Sequence, residues 1–250
     1  MAPRDRWIET RADGSEGMRL FCFPYAGGGS PIYRGWQDHL PPEIGLYAVQ
    51  LPGRGTRIGE PAFPSMASLI PVLETALAPY LDRPFALFGH SMGAIIAYEA
   101  ARHLRGADGR GALHLFVSAR RAPGMKARRP PADAMSDEAF VQRLRELGGT
   151  PEEVLREPDL MALFMPMLRA DFRLNDTYVP LPGPPLACPV TVFGGRADSE
   201  ALEHELLGWG DVCRREFDLR MFPGAHHFLQ HVRRDLLAEV VRRLGPLRVR

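Results

Sequence analysis

The sequence predicts an α/β protein, with a mostly parallel central sheet and helices on both faces. Two observations lead there. Six short apolar runs rich in β-formers recur along the 250 residues, each followed by a turn and then a helical pattern. The runs are nearly continuous in apolar residues, as strands covered on both faces must be, rather than alternating like a one-sided antiparallel sheet.

The strand runs are 19–24, 46–52, 84–89, 114–119, 189–195 and 218–223. Between the first two, Ser30 and Pro31 offer an N-cap and a first helical residue for a helix through Leu40. Ser65 is placed to cap a helix over 66–81, which Pro71 should kink or divide. The segment 92–104 brings Ile95, Tyr98, Ala101 and Leu104 near one helical face, and a last helix is expected over 227–244. From 120 to 185 the strand rhythm stops. Thr150, Pro151 and Glu153 fit a capping box, and 158–175 reads as a helix bent at Pro166. We expect a helical lid inserted in one domain spanning 1–250, because no linker precedes the return to strand at 189.

Composition narrows the function classes. Hydrophobic content of 45% with 24% charged residues is that of a globular chain. With 31 basic and 30 acidic residues the net charge is +1, so no overall field favours nucleic acid or an anionic membrane. Cys22, Cys188 and Cys213 form neither a CxxC nor a metal pattern and suit buried thiols in a reducing compartment. No apolar run is long enough for a membrane span and the N-terminus is polar, so a cytoplasmic location, without membrane or nucleic-acid partners, is expected.

The chemistry concentrates at Gly89-His90-Ser91-Met92-Gly93, a GxSxG placed directly after one strand run and before a helix. A sharp strand-to-helix turn there lifts a serine hydroxyl above the sheet edge, and the flanking glycines let strand and helix approach closely. Ser91 is the candidate nucleophile. A serine hydroxyl needs a histidine base, and the base needs a carboxylate to hold its tautomer. Asp198 follows the 189–195 run in Gly195-Arg196-Ala197-Asp198, just before Ser199 is expected to open a helix. His226 and His227 follow the 218–223 run, and spacing alone does not choose between them. The chain order Ser, Asp, His is that of α/β hydrolases. His227 and His231 stand four apart, yet HExxH is absent and no third ligand is evident, so no metal is expected.

A tetrahedral intermediate needs backbone donors for its oxyanion. The amide of Met92, next after the nucleophile, is one. The second is expected from the glycine loop Pro24-Tyr25-Ala26-Gly27-Gly28-Gly29, with Ala26 preferred and Tyr25 the alternative. A phosphate-binding loop is the competing reading, but neither GxxxxGK[ST] nor GxGxxG is present.

Taken together, FCFPYAGGGS (21–30), LYAVQLPGRGTR (46–57), LFGHSMGAIIAYEAAR (87–102), LRADFRLNDTY (168–178), VFGGRADS (192–199) and FPGAHHFL (222–229) resemble the stand-alone type II thioesterases that accompany polyketide synthases (PKS) and nonribosomal peptide synthetases (NRPS). The resemblance implies an α/β-hydrolase fold with a helical lid, and hydrolysis of acyl thioesters from the phosphopantetheine arm of acyl or peptidyl carrier proteins. It implies editing of stalled or misloaded modules, with no cofactor beyond the arm that the substrate carries. In that family FPGGH precedes an aromatic residue, which selects His226 as the base; here Ala225 and His227 depart from the pattern.

Within the lid, Met161, Leu163, Phe164, Met165, Met167 and Leu168 are a flexible apolar group suited to an acyl pocket, although such a stripe also suits plain packing. We expect Tyr25, Met161, Phe164, Met165 and Leu168 to contact substrate. Arg120, Arg121, Lys126, Arg128 and Arg129 put five cations within ten residues, to steer an acidic carrier protein or simply to face solvent. A monomer is expected. A carboxylesterase or acyltransferase fits the same triad, and a non-catalytic binding protein on this scaffold is the reading from another class.

Overall fold

The computed structural model describes residues 6–106, 108–125 and 128–245. Seven strands form one sheet in the order β1-β3-β2-β4-β5-β6-β7. They are β1 (Ile8–Thr10), β2 (Met18–Phe23), β3 (Ile44–Val49), β4 (Phe85–His90), β5 (Leu115–Ser118), β6 (Val190–Gly195) and β7 (Phe217–Phe222). Only β1 runs antiparallel, against β3; all other pairs are parallel. The six expected strands are present. β1 was not foreseen, because three residues, Ile-Glu-Thr, are too few to show a pattern.

Alternation along the parallel strands feeds two cores. Phe21, Phe23, Phe85, Leu87, Leu115, Val117 and Val192 meet α1 (Met66–Leu77) and α2 (Met92–His103) on one face. Leu20, Cys22, Phe88, Phe116 and Phe193 meet the last helix of the chain, Arg233–Leu244, on the other. Phe116 and Phe193 stack at 6.0 Å across β5 and β6. Each such fully buried ring contributes roughly 1.5–3 kcal/mol of transfer free energy. Cys22 and Cys188 are buried thiols, whereas Cys213 is half-buried.

Between β5 and β6 the chain builds α3 (Asp137–Leu147), α4 (Glu152–Leu155) and α5 (Pro158–Asp176). Phe140, Leu144, Leu155, Met161, Met167, Leu168 and Phe172 give this segment a small core of its own. α3, which the sequence reading passed over, starts on a Ser136 side-chain cap and ends at Gly148, φ +73°. Between β6 and β7 lie α6 (Glu203–Leu207) and α7 (Trp209–Val212); Arg233–Leu244 is α8.

Several local expectations need correction. The helix from Ser30 to Leu40 is instead two 3-10 turns, Ser30–Tyr33 and Gln37–His39, parted by Gly35 at φ +77°. Ser30 is not a cap; Gly29 precedes the first turn. The capping box at Thr150 does not form, because Pro151 takes the N-cap position and Glu153 therefore falls at the second helical residue. Ser199 opens no helix, since α6 begins at Glu203. The last helix begins at Arg233, after a 3-10 turn over Phe228–Gln230. Ser65 does cap α1, and neither Pro71 nor Pro166 divides its helix; the helical stretch after Leu77 tightens into a 3-10 turn instead.

Strand order places the site. The chain leaves β2 for β3 on one side, returns past β2 to β4 on the other and then continues to β5, so the winding reverses and a crevice opens beyond the carboxyl ends of β2 and β4, where ligands of open α/β sheets bind. Register aligns Phe23 with Gly89, His90 with Ser118, Ser118 with Phe193 and Gly195 with Phe222. The loops after β2, β4, β6 and β7 thus leave the sheet at one edge.

Candidate active site

Ser91 follows β4 directly and sits at φ 53°, ψ −114°, one of two non-glycine residues with positive φ among the described residues. Such a backbone costs on the order of 1–3 kcal/mol and persists only where its surroundings hold it. Here the Ser91 N–H donates to the Ser118 carbonyl at 2.8 Å, and the Ser91 carbonyl accepts from Ala94 N–H at 3.0 Å. The glycines make the turn possible. A Cβ on Gly89 would lie 2.0 Å from the Gly93 carbonyl oxygen, and one on Gly93 would lie 2.0 Å from that of Phe23.

The side chains expected from loops far apart in sequence meet. The Ser91 Oγ is 2.9 Å from His226 Nε2, and His226 Nδ1 is 3.0 Å from Asp198 Oδ2 and 3.1 Å from Oδ1. The Asp198 side chain is fully buried and that of His226 is 12% exposed, so the carboxylate is shielded while the imidazole reaches the cavity. Glu200 N–H donates to Asp198 Oδ1 at 2.8 Å and fixes the carboxylate plane. His227 takes a different place. Its ring packs on Tyr25 at a centroid distance of 4.5 Å, and burial pulls its pKa down to about 4, with His226 adding to the effect. His90 donates or accepts at 2.8 Å with Ser118 Oγ beneath the site, and burial holds its pKa well below the usual imidazole value.

Ala26 and Tyr25 line the same cavity as Ser91 and His226, about 830 Å³ including its open mouth. Met92 is the first residue of α2, so its N–H has no acceptor inside the helix. Among the described residues the Ala26 N–H has no acceptor within the protein either.

The lid residues are placed differently from Tyr25. None of Met161, Phe164, Met165 and Leu168 lines the Ser91 cavity. Phe164 and Leu168 line a second, more apolar cavity of about 690 Å³, which shares only Gly149 and Thr150 with the first. Met161 and Met165 pack within the lid's own core. A helical stripe alone does not tell a lining side chain from a packed one.

The basic run is divided: Arg128 and Arg129 are exposed, whereas Arg120 is turned inward. Arg120, Arg121, Arg128 and Arg129 all line the Ser91 cavity, while Lys126 lies outside the described residues. Arg120 donates to Asn175 Oδ1 at 2.8 Å, and burial lowers its pKa to about 10, reinforced by Arg121. Arg128 pairs with Glu205, and Arg129 with Glu146 and Glu200. Asp171 and Arg54 carried no role in the sequence reading beyond belonging to resembling segments, yet they form a buried pair beside the glycine loop.

Among the described residues no helix is long and apolar enough to cross a membrane. Comparison with known proteins matches the thioesterase domain family over residues 18–246. The chain is 36% identical over 241 residues to the gramicidin S biosynthesis protein GrsT of Aneurinibacillus migulanus, covering 96% of this chain and 94% of that one. Among solved structures, the RedJ thioesterase of the prodiginine pathway in Streptomyces coelicolor superposes with a TM-score of 0.83 at 39% identity, covering 92% of this chain and 86% of its own. The type II thioesterase YbtT of the yersiniabactin NRPS/PKS pathway gives 0.84 at 28% identity, covering 95% and 97%. The chain belongs to the thioesterase domain family and is a thioester hydrolase on the α/β-hydrolase fold.

Proposed function

We propose that Ser91, His226 and Asp198 are the catalytic triad of a type II thioesterase that removes acyl groups from the phosphopantetheine arm of carrier proteins in an NRPS or PKS system. The continuous chain from Ser91 Oγ through His226 to buried Asp198, at 2.9 and 3.0 Å, carries the reading. The likeness to GrsT, RedJ and YbtT supports the substrate class, and editing of stalled or misloaded modules is the role in keeping with it.

In the proposed reaction His226 Nε2 takes the Ser91 proton as Oγ bonds to the thioester carbonyl carbon. Asp198 accepts from Nδ1–H and stabilises the imidazolium. The Met92 and Ala26 N–H groups receive the oxyanion, and collapse breaks the C–S bond while His226 returns the proton to the departing sulfur. Water then gives its proton to His226 and attacks the acyl-serine, and a second collapse releases the carboxylic acid and restores the Ser91 hydroxyl. A thiol leaves readily, so positioning and oxyanion stabilisation are the protein's main tasks.

The cavity bounded by Tyr25, His227 and the lid would hold the thioester and the first part of the acyl group. Longer chains would cross Gly149–Thr150 toward Phe164 and Leu168, with Met161 and Met165 supporting that wall from behind. Arg121, Arg128 and Arg129 would meet an acidic carrier protein at the mouth; Arg120, bonded to Asn175 in the interior, would not. Matched acyl groups presented as a carrier-protein thioester and as an oxygen ester provide the test. Faster hydrolysis of the thioester, lost in Ser91→Ala, is expected; preference for the oxygen ester would favour a general carboxylesterase.

A further inference from the structure

One carboxylate joins the lid to the loop that supplies the second oxyanion donor. Asp171, in the second half of α5, accepts from Gly27 N–H through Oδ2 at 2.7 Å. Arg54, in the loop after β3, grips the same carboxylate with both terminal nitrogens, each at 2.7 Å, and its Nη1 also donates to the Gly28 carbonyl at 2.9 Å. Its Nε donates to the Pro52 carbonyl at 3.1 Å, which anchors the guanidinium to its own loop. Both side chains are buried, at 5% and 4% exposure. One helical turn before Asp171, Leu168 closes on Gly27: a Cβ there would lie 2.7 Å from Leu168 Cδ2, and Gly27 holds φ +79°.

A buried ion pair is not in itself an efficient stabiliser, since an apolar pair of similar volume serves a core as well or better. What an apolar pair lacks is direction. Two of its bonds hold consecutive residues of the loop, one on the N–H of Gly27 and one on the carbonyl of Gly28, immediately after Ala26. The Gly27 N–H is turned to α5 and consumed there, and the Gly28 N–H is spent on the Tyr25 carbonyl, while the neighbouring Ala26 N–H has no acceptor among the described residues of the protein.

We propose that the Asp171–Arg54 pair positions the oxyanion loop, so that the second donor is in place only while α5 is seated on Gly27. Asp171 and Arg54 are positioning residues, acting through the loop and not on substrate. The proposal rests on the assignment of Ser91 as nucleophile and Ala26 as oxyanion donor.

Three variants test it: Asp171→Asn, the double Arg54→Met/Asp171→Leu, and Ser91→Ala. The double variant leaves no buried charge without a partner and keeps the volume filled. Hydrolysis of acetyl- and hexanoyl-pantetheine is followed by thiol release, alongside binding of a trifluoromethyl ketone isostere whose hemiketal oxygen occupies the oxyanion position. The double variant, folded by its thermal transition, is expected to lose about 10²-fold in kcat with KM changed less than about threefold. The ketone weakens by the same factor as kcat/KM. Asp171→Asn, which keeps an acceptor for Gly27 N–H, loses less. A kcat within about twofold of wild type in a folded variant overturns the proposal, as does a rate loss with unchanged ketone binding; if the double variant does not fold, Asp171→Asn is judged by the same two criteria. Wild-type turnover in Ser91→Ala would instead remove the triad reading.

Discussion

Replacing Asp198 with Asn removes one charge and leaves the shape of the site intact. The carboxylate stands 3.0 Å from His226 Nδ1 in a fully buried position, with Glu200 N–H holding its other oxygen. When His226 takes the serine proton, its positive charge forms roughly 4 Å from that of the carboxylate. At an effective dielectric of about 20, the attraction is about 4 kcal/mol. At about 1.4 kcal/mol per decade, that predicts a kcat lower by about three orders of magnitude. Asn also offers an N–H toward Nδ1, which favours the tautomer whose Nε2 cannot accept the serine proton and adds to the loss. Steady-state hydrolysis of an acyl-pantetheine gives kcat, and the rate of Ser91 modification by a fluorophosphonate should fall in parallel. A folded Asp198→Asn variant within tenfold of wild type would show that Asp198 is not the orienting carboxylate.

Further outcomes follow from the same geometry. Gly93→Ala forces a Cβ to within 2.0 Å of the Phe23 carbonyl oxygen and should cost about 3 kcal/mol or more in urea unfolding; a loss under about 1 kcal/mol would contradict the close packing of β2 on α2. His227→Phe keeps the ring against Tyr25 and should leave kcat within about threefold, whereas a collapse of kcat would make His227 the base. His114 and His227 titrate near 4 when folded, and His90 well below its ordinary 6.5. Each binds a proton more readily unfolded, so stability should be flat above about pH 6.5 and fall as pH drops toward 4, by about 1.4 kcal/mol per pH unit per histidine. His227→Phe should remove one such contribution, and an unchanged acid limb in chemical denaturation would refute its neutral burial. Arg128→Glu with Arg129→Glu should raise KM for an acyl-carrier-protein thioester about tenfold at low salt and leave acyl-pantetheine untouched. Equal effects on both substrates would assign the pair to the cavity wall rather than to docking.

How much of this was legible in the sequence depended on whether the chemistry or the packing set the residue. Ser91 was legible because a strand-to-helix nucleophile turn needs glycine on both sides, and Gly89 and Gly93 turn out to stand against backbone oxygens. Asp198 and His226 were legible because each follows a buried strand by a few residues, and parallel register brings such ends to one edge. Choosing His226 over His227 took the resemblance, and in the structure the rings stand in different places, one bonded to Ser91 and the other packed on Tyr25.

Packing hid the remainder. A run of arginines at 120–129 reads as surface, yet Arg120 turns inward to Asn175 on α5, a partner 55 residues away. Asp171 follows no strand and carries no local signal; only the fold shows that it faces the glycine loop across 144 residues. The apolar stripe at 161–168 serves both the lid core and the second cavity, with Phe164, Met167 and Leu168 reaching both while Met161 and Met165 stay in the core, a distinction that periodicity does not record. Gly35 could have warned that the 30–40 segment breaks into two turns, since a glycine inside a helical pattern often marks a change of direction.

With Ser91 as the proposed nucleophile, hydrolysis passes through an ester on one serine. Rapid quenching of the enzyme with hexanoyl-pantetheine, followed by peptide mass analysis, tests it most directly. A hexanoyl increment is expected on the peptide containing Ser91, present before steady state and absent from Ser91→Ala. Turnover with the acyl group on another residue, or with no acyl-enzyme formed at any time and activity retained in Ser91→Ala, would contradict it.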